Sequence, residues 1–189
     1  MGTVEANISM SLDGFVTGPD LDRYPGLGRG GEILHAWTGE RRAMDLAMGE
    51  ERQIAGSVIT SRRIFDDTDG WAAENGFFRL PVFVLTHRPH PVVVTGETTF
   101  TFVTGGIREA VEAAQAAAGH RVVHIMGGAG VIQQALAAGL VDELFLHVAP
   151  VLLGGGTRLF EHIDRVISLE RAEVVESRYS THLRYRVLR

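Results

Sequence analysis

The stretch from Arg121 to Phe160 decides the fold of this 189-residue chain; it reads RVVHIMGGAGVIQQALAAGLVDELFLHVAPVLLGGGTRLF. Its pattern predicts a buried strand, Val122–Met126, that runs directly into Gly127-Gly128-Ala129-Gly130. A helix over Val131–Ala138 follows at once, and then a second apolar strand, Glu143–Ala149. Strands that alternate with helices in this way are typical of α/β proteins.

Glycine follows both of these strands, at Gly127–Gly130 and again at Gly154–Gly156. Glycine permits positive φ and removes the Cβ that would keep a ligand away from the backbone. We therefore predict that two neighbouring strand ends lie close to something other than protein. The helix after the first cluster directs free N–H groups and a positive dipole end at the same space, which suits an anion such as a pyrophosphate. The alternative is a strand–helix turn that needs glycine only for tight packing.

The first cluster matches neither of two common nucleotide-binding motifs. Gly128 and Gly130 supply G-x-G, but Gln133 stands where a Rossmann fingerprint has its third glycine. No acidic residue closes the next strand where a ribose hydroxyl would be held. The chain also lacks Gly-Lys-Ser/Thr, which excludes a P-loop.

Composition limits the class of protein and its partners. Hydrophobic residues make up 45% of the chain and charged residues 22%, as in a soluble globular protein, and the length suits a single domain over residues 1–189. The net charge is −5 with scattered basic residues, so we expect no nucleic-acid partner. Cysteine is absent, which excludes disulfides and thiol nucleophiles. With no signal pattern and no apolar run of about 18 residues, we expect a cytoplasmic protein without membrane contact.

The remaining pattern predicts further strands and helices and one long loop. The loop, Thr17–Gly31, is too long for a simple connection and is interpreted as a lid or binding loop. The last two strands are close enough in sequence to form an antiparallel hairpin. Together the elements predict a mixed sheet with helices on both faces. The additional strands are Val4–Met10, Ser57–Thr60, Val82–Leu85, Thr98–Val103, Leu169–Glu176 and His182–Leu188, and the additional helices are Thr38–Glu51 and Gly106–Ala118.

Four loops are expected at one rim of this sheet, because ligands of α/β sheets bind beyond the carboxyl ends of the strands. Two of these loops carry the pairs Arg62-Arg63 and His87-Arg88. Arginine binds phosphate through two parallel charge-assisted hydrogen bonds, so a ligand with a pyrophosphate and a further phosphate, such as NADPH, would use both pairs. The alternative is solvated surface arginines. The four loops are Ser11–Gly14, Ser61–Phe65, Thr86–Arg88 and Gly127–Gly130.

Three further residues are candidates for chemistry or substrate binding. Asp13 follows the first strand beside the expected cleft and is the candidate proton donor or relay; a turn-forming aspartate is the alternative. Trp37 is a candidate for lining a ring-binding pocket, with core packing as the alternative. His147 is a candidate substrate contact, although a histidine inside a strand is more often a hydrogen-bonded sheet residue. His87 and His90 are spaced as H-x-x-H around a proline, and we expect no metal site there.

Several motifs together resemble the dihydrofolate reductase-like superfamily, and within it the reductase domain of bacterial riboflavin-biosynthesis deaminase-reductases. The resemblance covers most of the chain. The motifs are Ser11-Leu12-Asp13-Gly14, Ser61-Arg62-Arg63-Ile64-Phe65, Thr86-His87-Arg88-Pro89, Ile125-Met126-Gly127-Gly128, Leu140-Val141-Asp142-Glu143-Leu144 and Ala149-Pro150-Val151-Leu152-Leu153-Gly154.

The resemblance implies a three-layer α/β domain that binds NADPH on a mostly parallel eight-stranded mixed sheet. In such a domain the glycine loop, whose Gly-Gly bond is often cis, and the following helix hold the pyrophosphate. Strand-end residues take the adenosine-side phosphates, and the loop after the first strand covers the nicotinamide. Carried over, the pyrophosphate residues are Gly127, Gly128, Ala129, Gly130 and Val131; the adenosine-side residues are Ser61, Arg62, Arg63, Thr86, His87 and Arg88; and the nicotinamide loop includes Val16 and Gly18, with Asp13 near the substrate.

The implied activity is an NADPH-dependent reductase that transfers hydride to a small heterocyclic substrate, similar to 5-amino-6-(5-phosphoribosylamino)uracil reductase. The alternatives are a dihydrofolate or pterin reductase and a non-catalytic NADP-binding protein. Two positions depart from the family pattern, since Ser61 replaces a glycine and Ile64 replaces a threonine that would contact phosphate. The choice between NADPH and NADH is therefore open. Relatives are frequently homodimers, so we expect a homodimer here.

Overall fold

The computed structural model describes residues 2–40, 55–75 and 77–189, and within these ranges the strands form one nine-stranded sheet. Three α-helices and two 3₁₀ helices of the described residues accompany the sheet. The strands are β1 (Val4–Ser11), β2 (Ala55–Ser61), β3 (Pro81–Leu85), β4 (Val93–Thr95), β5 (Thr98–Val103), β6 (Val122–Ile125), β7 (Glu143–Ala149), β8 (Leu169–Glu176) and β9 (Thr181–Val187). The α-helices are α1 (Arg62–Asp67), α2 (Ile107–Ala118) and α3 (Ala129–Ala137), and the 3₁₀ helices are Gly31–Gly39 and Asp69–Glu74.

The strand order is β4-β5-β3-β2-β6-β1-β7-β9-β8. The six strands from β5 to β7 are parallel, whereas β4 and the β8–β9 hairpin are antiparallel to their neighbours. This confirms the predicted mixed, mostly parallel sheet with a C-terminal hairpin. The sheet has nine strands rather than eight, because the three-residue β4 is too short to show an alternating pattern in sequence. The six parallel strands end at one rim, here called the carboxyl edge.

One face of the sheet carries the main apolar core. Side chains of a strand alternate between faces, so β1 directs Val4 and Ala6 to this core while its odd-numbered residues face the other way. Helices α2 and α3 cover the face. The predicted apolar stripe of α2 is confirmed, because Val111, Ala114 and Ala118 are all buried.

The opposite face is apolar at one end and polar at the other. Under α1, Phe65 packs with Val82, Val84 and Phe100 in a second apolar cluster. On β1, β7 and β9 the same face carries buried polar side chains, including Glu5, Ser9, His147, His182 and Arg184. Helices therefore lie on both faces, as predicted. No helix in the described ranges is long and apolar enough to cross a membrane.

Two local differences from the sequence prediction concern helices. The predicted helix Thr38–Glu51 falls mostly on residues 41–54, which lie outside the described residues. Thr38 itself lies within the 3₁₀ helix Gly31–Gly39, and its Oγ1 donates to the His35 carbonyl (2.8 Å). Helix α1 was not predicted. It begins directly after β2, where the Oγ of Ser61 accepts a hydrogen bond from the Ile64 N–H (3.2 Å) and caps the helix.

Candidate functional site

The four predicted loops meet at the carboxyl edge. They follow β1, β2, β3 and β6, which are parallel and stand in the order β3-β2-β6-β1. Because neighbouring strands in a sheet lie about 4.8 Å apart, these loops line a continuous row. The tertiary structure thus brings together the arginine-bearing loops and the glycine loop, as the sequence predicted.

The glycine loop leaves open space at the start of α3. The Gly127–Gly128 peptide bond is cis, and Gly127 has φ of 126°. A Cβ on Gly127 would lie 3.2 Å from Cδ1 of Ile64, and one on Gly128 would lie 3.6 Å from Oγ of Ser61. A Cβ on Gly130 would meet no described atom within 4 Å. No described side chain caps the helix at Gly128. The Val131 N–H donates to the Gly128 carbonyl (3.0 Å), so the N–H groups of Ala129 and Gly130 are those that adjoin space suited to an anion.

The two departures from the family pattern have a packing role. Ser61 caps α1, which a glycine side chain could not do, and its hydroxyl lies beside Gly128. The Ile64 side chain packs against Gly127. These residues therefore support the glycine loop from the side of β2, in place of the hydroxyl contact to phosphate that a threonine would make.

Both strand-end arginines are paired with aspartates one helical turn later. The Nε of Arg62 donates to Asp66 at 2.7 Å, and the guanidinium of Arg62 lies over the ring of Phe102, 5.5 Å from its centroid. The Nε of Arg63 lies 3.5 Å from a carboxylate oxygen of Asp67. Arg62 is thus more firmly placed than Arg63, and its guanidinium lies toward β5.

The turn after β3 presents His87 and Arg88 to solvent at the same edge. Thr86 is buried, and its hydroxyl oxygen accepts a hydrogen bond from the Arg88 N–H (3.1 Å). This local bond shapes the turn. Since β3 pairs with β2, the exposed His87 and Arg88 side chains stand next to α1.

The carboxylate of Asp13 is hydrogen-bonded to the loop that follows β7. Its carboxylate accepts hydrogen bonds from the Ser11 hydroxyl (2.6 Å), the Leu153 N–H (3.1 Å) and the Gly154 N–H (2.8 Å). The hydrogen bond from Ser11 is the main reason why the pKa of Asp13 is lowered to about 2, and the backbone donors lower it further. A carboxylate that is ionised at neutral pH has no proton to donate, so these contacts favour a positioning role for Asp13 over that of proton donor.

At Gly156 the second glycine cluster contacts protein, which corrects the expectation of a ligand there, whereas a Cβ on Gly154 would meet no described atom within 4 Å. Gly156 has φ of 125°, and a Cβ there would lie 1.9 Å from the Thr17 carbonyl oxygen. Gly18 is equally close-packed, since its Cβ would lie 2.1 Å from the Arg29 carbonyl oxygen. Val16 is buried in the main core. The two glycine clusters also do not follow adjacent strands, because β1 lies between β6 and β7.

Trp37 and His147 contact each other instead of open space. Trp37 is 6% exposed and His147 is 1% exposed, and their ring centroids lie 4.2 Å apart. The Trp37 Nε1–H donates to the Ser9 hydroxyl (2.9 Å), which fixes the 3₁₀ helix Gly31–Gly39 on the sheet. Because both side chains are buried against other described residues, the structure favours the alternative for each: Trp37 is a packing residue and His147 a hydrogen-bonded sheet residue.

The sequence analysis did not identify Arg158, a positively charged residue at the β1 end of the row of loops. Arg158 lies over the Phe15 ring, 4.4 Å from its centroid, and its Nη1 donates to the Asp13 carbonyl (3.3 Å). The position follows from a bridge between residues 15 and 158, which are distant in sequence. Its place two residues after the glycine-rich Gly154–Gly156 was the available signal.

This sheet and row of loops define a dihydrofolate reductase-like α/β protein. The family model described as the RibD C-terminal domain matches residues 2–182, and the chain belongs to that family. A comparison with curated proteins found no significant match.

Solved structures with the same fold include proteins of riboflavin biosynthesis and a dihydrofolate reductase. A Shewanella sp. PV-4 protein, provisionally assigned to riboflavin biosynthesis, is 23% identical with a TM-score of 0.76, and each chain is covered completely. The Thermotoga maritima diaminohydroxyphosphoribosylaminopyrimidine deaminase/5-amino-6-(5-phosphoribosylamino)uracil reductase is 13% identical with a TM-score of 0.65; 99% of this chain covers 57% of that one. Enterococcus faecalis dihydrofolate reductase, complexed with NADP(H), is 16% identical with a TM-score of 0.59, covering 98% of this chain and 96% of the other. At these identities the likeness concerns the fold.

Proposed function

We propose that the protein is an NADPH-dependent reductase that transfers hydride to a small heterocyclic substrate, similar to a ribosylamino-pyrimidine. The observation that carries the proposal is the open, uncapped start of α3 at Gly128–Gly130, flanked by Arg62 and Arg63 on the neighbouring loop. Membership of a reductase family and the NADP(H) complex of a protein with the same fold support it.

The described residues fit a dinucleotide with an additional phosphate. The N–H groups at the start of α3 would hold the pyrophosphate, since Gly130 leaves room for a close approach. Arg62, Arg63 and Arg88 would hold the phosphates on the adenosine side. When bound, the cofactor supplies the hydride, and the protein supplies orientation and a site with little water.

The long loop after β1 is suited to limit the access of water. Its Gly26 N–H donates to Asp67 of α1 (3.3 Å), so the loop crosses toward the arginine-bearing helix. The loop is also tied to the second glycine cluster, because the Thr157 N–H donates to the Thr17 hydroxyl (3.1 Å). These ties place the loop beside the carboxyl edge, where exclusion of water strengthens electrostatic interactions with a bound ligand.

Asp13 contributes to this site by positioning backbone. Its hydrogen bonds to Leu153 and Gly154 join the loops after β1 and β7, which are paired as parallel neighbours. Reduction of a C=N or C=O bond also needs a proton on the heteroatom. Because Asp13 is ionised, we propose that this proton comes from solvent or from the substrate itself.

The test is a titration with NADPH and NADH, followed by tryptophan fluorescence, on the wild type and two variants at one position. Gly130→Asp places a negative charge where we expect the pyrophosphate, and Gly130→Asn is its neutral control of the same size. Both side chains have room, and an aspartate in the first turn is favourable for a helix. We expect Gly130→Asp to weaken NADPH binding about tenfold or more, and Gly130→Asn to weaken it far less.

Turnover separates a reductase from a binding protein. Oxidation of NADPH with ribosylamino-pyrimidine or dihydropterin acceptors would support the proposal and identify the substrate class. Saturable NADPH binding without turnover of any acceptor would instead indicate a non-catalytic NADP-binding protein. If the wild type binds neither dinucleotide, the proposal is wrong.

A further inference from the structure

The guanidinium of Arg62 is held on two sides by its own surroundings. Its Nε donates to an Asp66 carboxylate oxygen at 2.7 Å. Its guanidinium carbon lies over two rings, 5.5 Å from the centroid of Phe102 and 5.9 Å from that of Phe65. The side chain of Arg62 is 24% exposed, so it is partly removed from solvent.

This arrangement leaves one edge of the guanidinium for a ligand. Asp66 accepts the hydrogen bond from Nε of Arg62, and the rings of Phe65 and Phe102 lie beside the guanidinium. Within the described residues, the terminal nitrogens of Arg62 form no hydrogen bond that would compete. The Nη1 and Nη2 atoms form the fork that binds a phosphate or carboxylate through two parallel hydrogen bonds.

The ring that supports Arg62 is itself fixed. Phe102 lies on β5, and the ring of His90 packs on it with centroids 4.3 Å apart. The Nδ1 of His90 lies 2.8 Å from the Pro91 carbonyl oxygen, the distance of a donated hydrogen bond, which restrains the imidazole. Phe65 packs edge-on to Phe102 at 5.0 Å. The orientation of Arg62 is therefore set by packing between β5 and α1.

Arg63 provides an internal contrast on the same short helix. Its Nε lies 3.5 Å from Asp67, its side chain is 55% exposed, and no described ring lies under its guanidinium. An exposed pair with this geometry holds an arginine loosely. The two arginines therefore carry the same charge but differ in how far their orientation is determined before a ligand binds.

We propose that Asp66 and Phe102 are positioning residues that fix Arg62 in the orientation needed to grip the extra phosphate of NADPH, and that they thereby determine the preference for NADPH over NADH. This inference rests on the proposed function. Ordering a long side chain on binding lowers affinity, and a side chain that is already ordered avoids this cost. The positioning of Arg62 affects the preference for NADPH because NADH lacks the extra phosphate that Arg62 would bind.

Asp66 also carries a negative charge, and two variants separate the two effects. Asp66→Ala removes both the acceptor and the charge, whereas Asp66→Asn removes the charge and keeps an oxygen that accepts from Nε. If Asp66 positions Arg62, Asp66→Ala weakens NADPH binding and Asp66→Asn preserves or strengthens it. If Asp66 merely competes with the phosphate, both variants strengthen NADPH binding.

The experiment measures the dissociation constants of NADPH and NADH for the full chain with these substitutions. We expect Asp66→Ala and Phe102→Leu each to reduce the ratio of the NADH to the NADPH dissociation constant about 3- to 10-fold, the range for losing the order of one long side chain. Asp66→Asn, which keeps an acceptor for Nε, is the matched control and should not reduce the ratio. An unchanged NADH constant in each variant shows that the fold is intact.

The outcomes distinguish the inference from the function on which it rests. A wild type that prefers NADPH, together with unchanged selectivity in Asp66→Ala or a gain in NADPH affinity in both Asp66 variants, would overturn the positioning role alone. Equal affinity of the wild type for both dinucleotides would also overturn it. A wild type that binds neither dinucleotide would overturn the proposed function and this inference together.

Discussion

The Nδ1 atoms of His147 and His182 lie 2.7 Å apart inside the polar face of the sheet. At this distance one ring must donate a proton and the other must accept it, so both cannot be protonated at Nδ1. The Nε2 of His147 faces the side-chain oxygen of Asn7 at 2.9 Å, which only accepts. Neutral His147 therefore carries its proton on Nε2 and accepts at Nδ1 from His182.

This pair predicts that stability decreases as the pH falls. Burial lowers the pKa of His147 from 6.5 to about 3, with His182 and His35 adding to the effect, and burial also lowers the pKa of His182. Between about 6.5 and 3 the unfolded chain binds a proton that the folded chain excludes, so stability rises with pH in this window. One such histidine changes the free energy of unfolding by about 1.4 kcal/mol per pH unit.

Urea unfolding at pH 7.5 and pH 5 measures this dependence. The carboxylates of the chain also titrate, so the comparison is made with His147→Gln, which keeps a donor and an acceptor but has no titration. We expect the variant to lose about 1 to 2 kcal/mol less than the wild type between the two pH values. Equal losses in both proteins would show that His147 is not kept neutral by the fold.

Asp13→Asn tests whether this residue positions backbone or transfers a proton. An asparagine has one acceptor oxygen where the carboxylate has two, so the hydrogen bonds to Leu153 and Gly154 cannot all be kept. We expect faster hydrogen exchange of these two amides and reduced turnover. The pH dependence of the rate should show the same apparent pKa values as in the wild type. If one of these apparent pKa values disappeared in the variant, Asp13 would be the proton donor.

Gly156→Ala is expected to destabilise the fold, because the new Cβ would lie 1.9 Å from the Thr17 carbonyl oxygen in a backbone with φ of 125°. Backbone atoms must move, so we expect a loss of about 3 kcal/mol or more. Gly154→Ala is the control in the same cluster: its φ is 69° and no described atom lies within 4 Å of the new Cβ, which leaves about 1 to 2 kcal/mol of strain. Thermal unfolding compares the two, and similar midpoints would contradict the close approach.

Ser61→Ala tests the cap of α1. Removing the hydroxyl leaves the Ile64 N–H without its partner, which costs about 1 kcal/mol. Ser61→Gly is the informative control, since it restores the residue typical of the family and glycine costs only a few tenths of a kcal/mol at a cap. The free energy of unfolding, measured by chemical denaturation, should be highest for the wild type, lower for Ser61→Gly and lowest for Ser61→Ala. A Ser61→Ala variant more stable than Ser61→Gly would contradict the capping role.

The gathering of the phosphate-binding candidates was predictable from sequence for a simple reason. Parallel strands all end at the same edge, so motifs that directly follow β2, β3 and β6 must stand at one rim. The roles of Asp13, Trp37 and His147 were not predictable in this way. Asp13 finds its partners 140 and 141 residues away, and Trp37 packs on a strand more than one hundred residues later.

Local periodicity and glycine placement, read from the sequence alone, determined eight of the nine strands, helices α2 and α3, the terminal hairpin, and the glycine loop before α3. These features depend on residues close in the chain, where side-chain spacing and φ preferences act directly. Only the tertiary structure decided that β1 separates the two glycine clusters, that Gly156 of the second cluster meets protein backbone, and that Asp66 and Phe102 contact Arg62. Those outcomes depend on which distant segments become neighbours when the sheet assembles, and no local pattern records that order.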